Sequence, residues 1–332
     1  MWIRSAAVPV ILLLAHASYA ADQAAPPAQK SLPLQLVDDF AALNGNQPRV
    51  RVNHAKGVVV EGTFTPSAAA ASVSMAVHFQ RQKSPIPVTV RFSDGSGMPA
   101  VPDTNTIPRG MAIKFTLPSG AKTDIVALSY NGFPVATAAE FSKFLEAIAA
   151  SGPDAPNPAP LDAFLDAHPA AKAFVTAPKP PPVSFGTLAY YGINAFKFTN
   201  AKGAVTYGRY QIVPAAGARA LTPEQLAKMG PDYLVDEIGP RLRKGPVKFT
   251  LFLQVAEPGD KIDDPSVAWP ESRKKITLGT ITITKATAES HTADKWLFLP
   301  GAVTAGIEPA DPMIAVRSGA YPISFARRMK PQ

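Results

Sequence analysis

The chain contains no cysteine in 332 residues. That absence excludes thiolate catalysis, cysteine-held metal sites and a disulfide framework. Long apolar runs are scarce too. Beyond the first twenty residues nothing approaches the roughly 20 apolar residues of a membrane-spanning helix, which argues against stable membrane insertion. Basic residues outnumber acidic ones, 33 to 25, yet they are scattered, and the longest run is Arg273-Lys274-Lys275. With no aromatic interleaving, that pattern does not suit nucleic acid. The sequence also shows no Gly-rich phosphate loop, no His/Asp/Glu set at metal-ligand spacing and no internal repeat. What is present is 46% hydrophobic residues, typical of a globular protein, in a chain long enough to enclose a cofactor.

The N-terminus reads as a leader. Met1–Ala20 (MWIRSAAVPVILLLAHASYA) has Arg4 near its start, an apolar stretch, and Ser18 and Ala20 as small residues before Ala21. These features predict a secretory signal peptide cleaved after Ala20, and a periplasmic or secreted product. Ala21–Ser31 (ADQAAPPAQKS) is expected to be a flexible linker, with too few apolar anchors to fold alone. Residues 32–332 are expected to form a single domain.

Within that domain the text is mostly strand-like. Residues 50–64 suggest a strand, a break at Lys56-Gly57, and a second strand. Ile86–Ser93 and Ala112–Leu117 are two more, the latter followed by a Pro118-Ser119-Gly120 turn. Ala195–Thr199, Val205–Val213, Val247–Val255 and Ile276–Thr284 complete the set. Ala138–Ala150 has helical spacing through Phe141, Leu145 and Ile148, and the Pro-rich Ser151–Pro182 is expected to be a surface loop. The pattern predicts an α+β protein built on an antiparallel β-barrel with flanking helices, of a size that can hold one ligand inside.

Two places carry candidate chemistry. His54 stands in RVNHAKG, just ahead of an apolar strand; alone, it fits a structural histidine as well as a functional one. Near the end, Arg317 and Tyr321 stand four residues apart, which in a helix puts both on one face. A guanidinium beside a phenol favours the phenolate, a strong anionic metal ligand. Pro322 disfavours α-geometry at Tyr321, so a kink or irregularity is expected there.

Several segments, in order, resemble the catalase superfamily, specifically its small catalase-related peroxidases. RVNHAKG followed by EGTF resembles the distal-histidine segment. VRFSDGSGMPAVPDTNTIPRGMAIKF resembles the Arg-Phe-Ser strand and Pro-Arg-Gly turn, GINAFKFTNAKG the Asn-x-Phe segment, and RSGAYPISFARR the proximal-tyrosine helix. The resemblance implies a catalase-like barrel enclosing haem b, with a C-terminal helix supplying the proximal ligand. It implies Tyr321 as the iron ligand with Arg317 as its charge partner, and His54 as the distal base. It further implies that Ser93 hydrogen-bonds the histidine, that Arg51, Arg91 and Arg328 pair with the haem propionates, and that Phe133 and Phe141 stand near the distal cavity. Leu128 occupies the position where the family usually has a distal Asn, and Asn131 is not its equivalent.

The implied activity is reduction of hydrogen peroxide and organic hydroperoxides by a small-molecule electron donor, with weak catalase turnover. Two other uses of the same fold stay open: rearranging or oxygenating an organic (lipid) hydroperoxide, and haem binding or sensing with little turnover. The arms and C-terminal domain of large catalases are absent, so a monomer or homodimer is expected.

Overall fold

A computed structural model describes residues 30–287 and 295–330. The Met1–Ala20 leader and the linker up to residue 29 lie outside the described residues. Helix α1 (Leu32–Asn44) follows directly, with Pro33 in its first turn, where a missing N–H costs nothing.

Strands β1 (Gly57–Pro66), β2 (Ile86–Asp94), β3 (Arg109–Thr116) and β4 (Lys122–Leu128) form successive antiparallel pairs, apart from two single turns of helix, α2 (Ala70–Val73) and Val77–Phe79, between β1 and β2. After β4 come helix α3 (Ala138–Ala149) and two short helices, α4 (Pro160–Ala167) and α5 (Pro169–Thr176). Strands β5 (Tyr190–Tyr191) and β6 (Phe196–Thr199) both lie along β7 (Val205–Pro214), as two pieces of one interrupted strand. The short α6 (Pro223–Leu226) and the longer α7 (Tyr233–Lys244) precede β8 (Val247–Val255) and β9 (Lys275–Ala286). The last elements are β10 (Ile307–Pro309), on the outer edge of β6, and α8 (Met313–Met329).

β9 joins β1 to β8, and β8 pairs back onto β7. The ring β7–β5–β4–β3–β2–β1–β9–β8 therefore closes as an eight-stranded antiparallel barrel, the expected fold. Closure needs close backbone approach where β1 bulges at Glu61/Gly62. A Cβ on Gly62 would come within 2.1 Å of the Thr282 carbonyl oxygen, so only glycine fits there.

Alternate residues of every barrel strand point into one apolar cluster. Val60, Phe92, Ile113, Phe115, Phe249, Leu251 and Ile281 are all fully buried in it. Phe92 lies parallel to Phe185 at 5.3 Å, and Phe64 meets Phe115 edge-on at 5.3 Å. The lumen is thus filled with side chains. The ligand space expected inside the barrel is found instead against its outer faces, in the cavity described below.

Two local expectations also change. Residues 50–55 form no strand, because Arg49 and His54 adopt positive φ (62° and 56°), which a strand cannot accommodate. The Ser151–Pro182 loop contains α4 and α5. Each begins with a proline in its first turn, and Phe164 and Phe174 anchor them against Phe144 and Phe133. Helix α8 is continuous through Pro322, with Met313, Ile314, Ser324 and Arg328 buried along its length.

A candidate active site on the outer face of the barrel

A cavity of about 540 Å³ lies between the outer faces of β2–β4 and the helices α1, α3 and α8. It is built by strand alternation: Val90 and Phe92 point into the lumen, so Arg91 and Ser93 point outward to the cavity wall. Gly110, Ala112, Val126 and Leu128 line it in the same way from β3 and β4.

From the opposite side comes α8. Arg317, Tyr321, Ser324 and Arg328 recur at helical spacing and all line the cavity. Arg317 Nη2 donates to Tyr321 Oη at 2.8 Å, confirming the contact that the four-residue spacing suggested. Its Nη1 donates to Asn194 Oδ1, and Asn194 Nδ2 donates to the buried Asp311 Oδ2 at 2.7 Å. Burial raises the carboxyl pKa of Asp311, opposed chiefly by the Asn194 bond. The sequence reading missed Asn194 and Asp311 as members of this chain. Asn194 stood inside a quoted segment, but nothing local joins positions more than a hundred residues apart.

His54 is set by the loop ahead of β1. Its positive φ turns the ring toward the cavity, and Arg91 Nη2 holds the loop by donating to the His54 and Ala55 carbonyls at 2.9 and 3.1 Å. Ser93 Oγ lies 3.1 Å from His54 Nδ1, which leaves Nε2 available to a ligand. Gly110 makes room for this pair, since a Cβ there would sit 2.7 Å from Ser93 Oγ and 2.9 Å from His54 Nδ1. The imidazole pKa is lowered to about 3. Enclosure by protein is the main cause, the charges of Arg91, Arg317 and Arg51 add to it, and a hydrogen bond with the Asp94 backbone opposes it. His54 is therefore a neutral base at any ordinary pH.

Arg51 and Arg328 converge on the carbonyl oxygen of Trp296, Arg328 at 2.9 Å. Phe133 and Phe141 line the cavity with ring centroids 4.7 Å apart, and Phe141 also meets Phe40 of α1 edge-on at 5.7 Å. Asn131 bonds Glu271 at 3.2 Å and is not on the cavity wall, as the reading of Leu128 implied. Arg109 of the Pro-Arg-Gly turn is structural: it sits 3.1 Å from Asp94 and ties the carbonyls of Asp103 and Asn105. A separate cleft of about 620 Å³ lies beside α7, where Glu237 pairs with Arg241 at 2.5 Å and Lys244 and Lys248 also line the wall.

Every sequence-derived site residue thus lines one cavity: Arg51, His54, Arg91, Ser93, Phe133, Phe141, Arg317, Tyr321 and Arg328. Among the described residues the wall carries these four arginines and no carboxylate. The chemistry suits a flat anionic group with an apolar body: cations for its acidic edge, aromatic and aliphatic walls for its faces, and a phenol from one side opposite a neutral base. Among the described residues no cluster of three or more His, Cys, Asp or Glu could hold a bare metal ion.

The family model for catalase matches residues 20–332. A protein named catalase-related peroxidase from Mycolicibacterium paratuberculosis is 37% identical over 301 residues, covering 89% of this chain and 94% of its own. Another of that name from Synechococcus elongatus is 33% identical over 305 residues, covering 90% and 88%. Among solved structures, a fungal catalase superposes with a TM-score of 0.75 at 22% identity, and a bacterial catalase with 0.74 at 20%. Each is similar in fold over 89% and 93% of this chain, which spans 63% of their length.

Proposed function

This chain belongs to the catalase family, and on that premise we propose that it is a haem peroxidase, with haem b in the cavity. It would reduce hydrogen peroxide and organic hydroperoxides at the expense of a small-molecule electron donor, with only weak catalase turnover. The observation that carries this reading is that His54 and Tyr321 line one cavity whose walls, among the described residues, hold four arginines and no carboxylate.

In this reading Tyr321 would hold the iron, with the Arg317 guanidinium hydrogen-bonded to its oxygen and fixing its position. Arg51, Arg91 and Arg328 bind the propionates. When bound, haem supplies the iron that cleaves the peroxide O–O bond and stores the oxidising equivalents until the donor returns electrons. The chain's own residues handle the proton. Neutral His54 takes it from the incoming peroxide and returns it to the departing oxygen, while Ser93 fixes the orientation of the ring.

Substrate preference follows from the wall. Leu128 offers bound peroxide no hydrogen bond, and with Phe133, Phe141 and Leu36 it makes an apolar approach. An alkyl hydroperoxide gains about 0.8 kcal/mol for each CH₂ it buries there, whereas hydrated hydrogen peroxide gains nothing comparable. We place the protein in the periplasm or outside the cell on the strength of its leader, as a monomer or homodimer.

The first test is the absorption spectrum of the purified mature protein, where a Soret band with high-spin tyrosinate features is expected. A protein that binds no haem on reconstitution refutes the proposal. The second test is product analysis with cumene hydroperoxide. Reduction gives the alcohol and requires a donor; a rearranged or oxygenated product without a donor would favour the hydroperoxide-rearranging reading instead.

A further inference from the structure

A peroxidase must receive electrons as well as peroxide, and some donors are too bulky to pass through a cavity built for peroxide. Among the described residues the cavity wall carries one indole, Trp296; its other aromatic rings are His54, Tyr321 and phenylalanines. Phenylalanine does not oxidise under such conditions, and Tyr321 is engaged by Arg317. Trp296 lines the cavity and is only half-buried. The other described tryptophan, Trp269, is 2% exposed, packs under Arg209 and lies off the wall. The backbone of Trp296 is also fixed: its carbonyl accepts from both Arg51 and Arg328, the guanidiniums proposed to hold the acidic edge of the cofactor. An oxidisable, half-buried ring is thereby held beside that edge, on a lining segment that continues through Leu297 and Phe298.

We propose that Trp296 is the electron-entry residue for donors that cannot enter the cavity. The inference rests on the haem peroxidase reading above. In each pass the indole gives one electron to the peroxide-oxidised site and its N–H proton to solvent. A one-electron donor at the surface then returns an electron to the indolyl radical, and water returns the proton. Two passes restore the site, and two donor molecules are each oxidised by one electron.

The test uses haem-replete full-length protein, hydrogen peroxide, and two donors: ferrocyanide, a hydrated anion excluded from an apolar cavity, and phenol, which can enter it. Trp296→Phe should lower ferrocyanide oxidation by about tenfold or more, while phenol oxidation and haem content stay within about twofold of wild type. Trp296→Tyr, which keeps an oxidisable ring, should recover most of the ferrocyanide rate. A readout independent of turnover is peptide mapping by mass spectrometry after peroxide treatment without donor. Wild type should acquire oxygen on the Trp296 peptide, and it decides the matter if Trp296→Phe fails to hold haem. An unchanged ferrocyanide rate in Trp296→Phe, or a Trp296 peptide left unmodified while another residue is oxidised, overturns the inference. Wild-type protein that binds no haem or consumes no peroxide would instead refute the functional reading on which it rests.

Discussion

On one face of β2 stand Val88, Val90 and Phe92; on the other stand Arg91 and Ser93. The first set packs into a lumen filled with aromatic and aliphatic side chains, the second into the wall of a polar-edged cavity. Both faces are buried, so burial does not separate them. The two histidines sharpen the contrast. His78 is 1% exposed and has its pKa lowered to about 3 by burial, the same value as His54. Yet His78 lies among Phe64, Phe79 and Phe115, and among the described residues its Nδ1 has no hydrogen-bond partner, whereas His54 has Ser93 on Nδ1 and a cavity before it. A shifted histidine marks a site only where a partner and a space accompany it.

The comparison can be broken at several points. Tyr321→Phe removes the only proposed iron ligand on the cavity side of α8 and is expected to lose most haem; near-full haem content with an unchanged spectrum would remove Tyr321 from that role. Phe92→Ala, on the lumen face, should cost about 3–5 kcal/mol in denaturant unfolding. Ser93→Ala, next to it on the cavity face, should change stability far less and instead slow peroxide cleavage. Equal stability losses would mean that the two faces are not functionally distinct.

His54→Ala should keep haem and lose peroxide cleavage by roughly 100-fold or more, while His78→Phe should leave the rate within a few-fold. If both variants lose activity alike, the partner-and-space argument fails. The same pair predicts a pH effect on stability. Both histidines are protonated below about 6.5 when unfolded but stay neutral when folded until about pH 3. Unfolded chains therefore bind more protons in that window, and stability should fall as pH drops from about 6.5 toward 3. His78→Phe should flatten that slope in acid-unfolding curves without altering the pH profile of peroxide cleavage.

The smallest expected effect is at Leu128. Leu128→Asn should raise oxygen evolution from hydrogen peroxide relative to donor oxidation, measured per haem because an amide in an apolar wall also strains folding. A flat ratio in well-folded, haem-replete variant would reduce Leu128 to packing.

How much of this was legible beforehand depends on the range over which each feature is decided. Strands β2, β3, β6, β7, β8 and β9 were readable within a residue or three at each end, because period-two alternation is local. The shorter β4 and β5, and helices α1 and α7, passed unremarked. Pro240 stands inside α7 and interrupts its helical pattern. The nine site residues were found through ordered motifs and the four-residue step from Arg317 to Tyr321, not through any single position.

By itself, then, the sequence determined which side of each strand would be apolar, which residues share a face of α8, and that cysteine chemistry is absent. Those properties depend on neighbours one to four positions apart. It did not determine that the barrel lumen would be full and the cavity outside it, because whether an eight-stranded ring has room depends on the summed volume of side chains from all its strands. Nor did it disclose that Asn194 and Asp311 would stand behind Arg317, or that Arg51 and Arg328 would meet at the carbonyl of Trp296. Such contacts exist only once barrel closure brings distant segments together, and their geometry is set by packing rather than by any local preference.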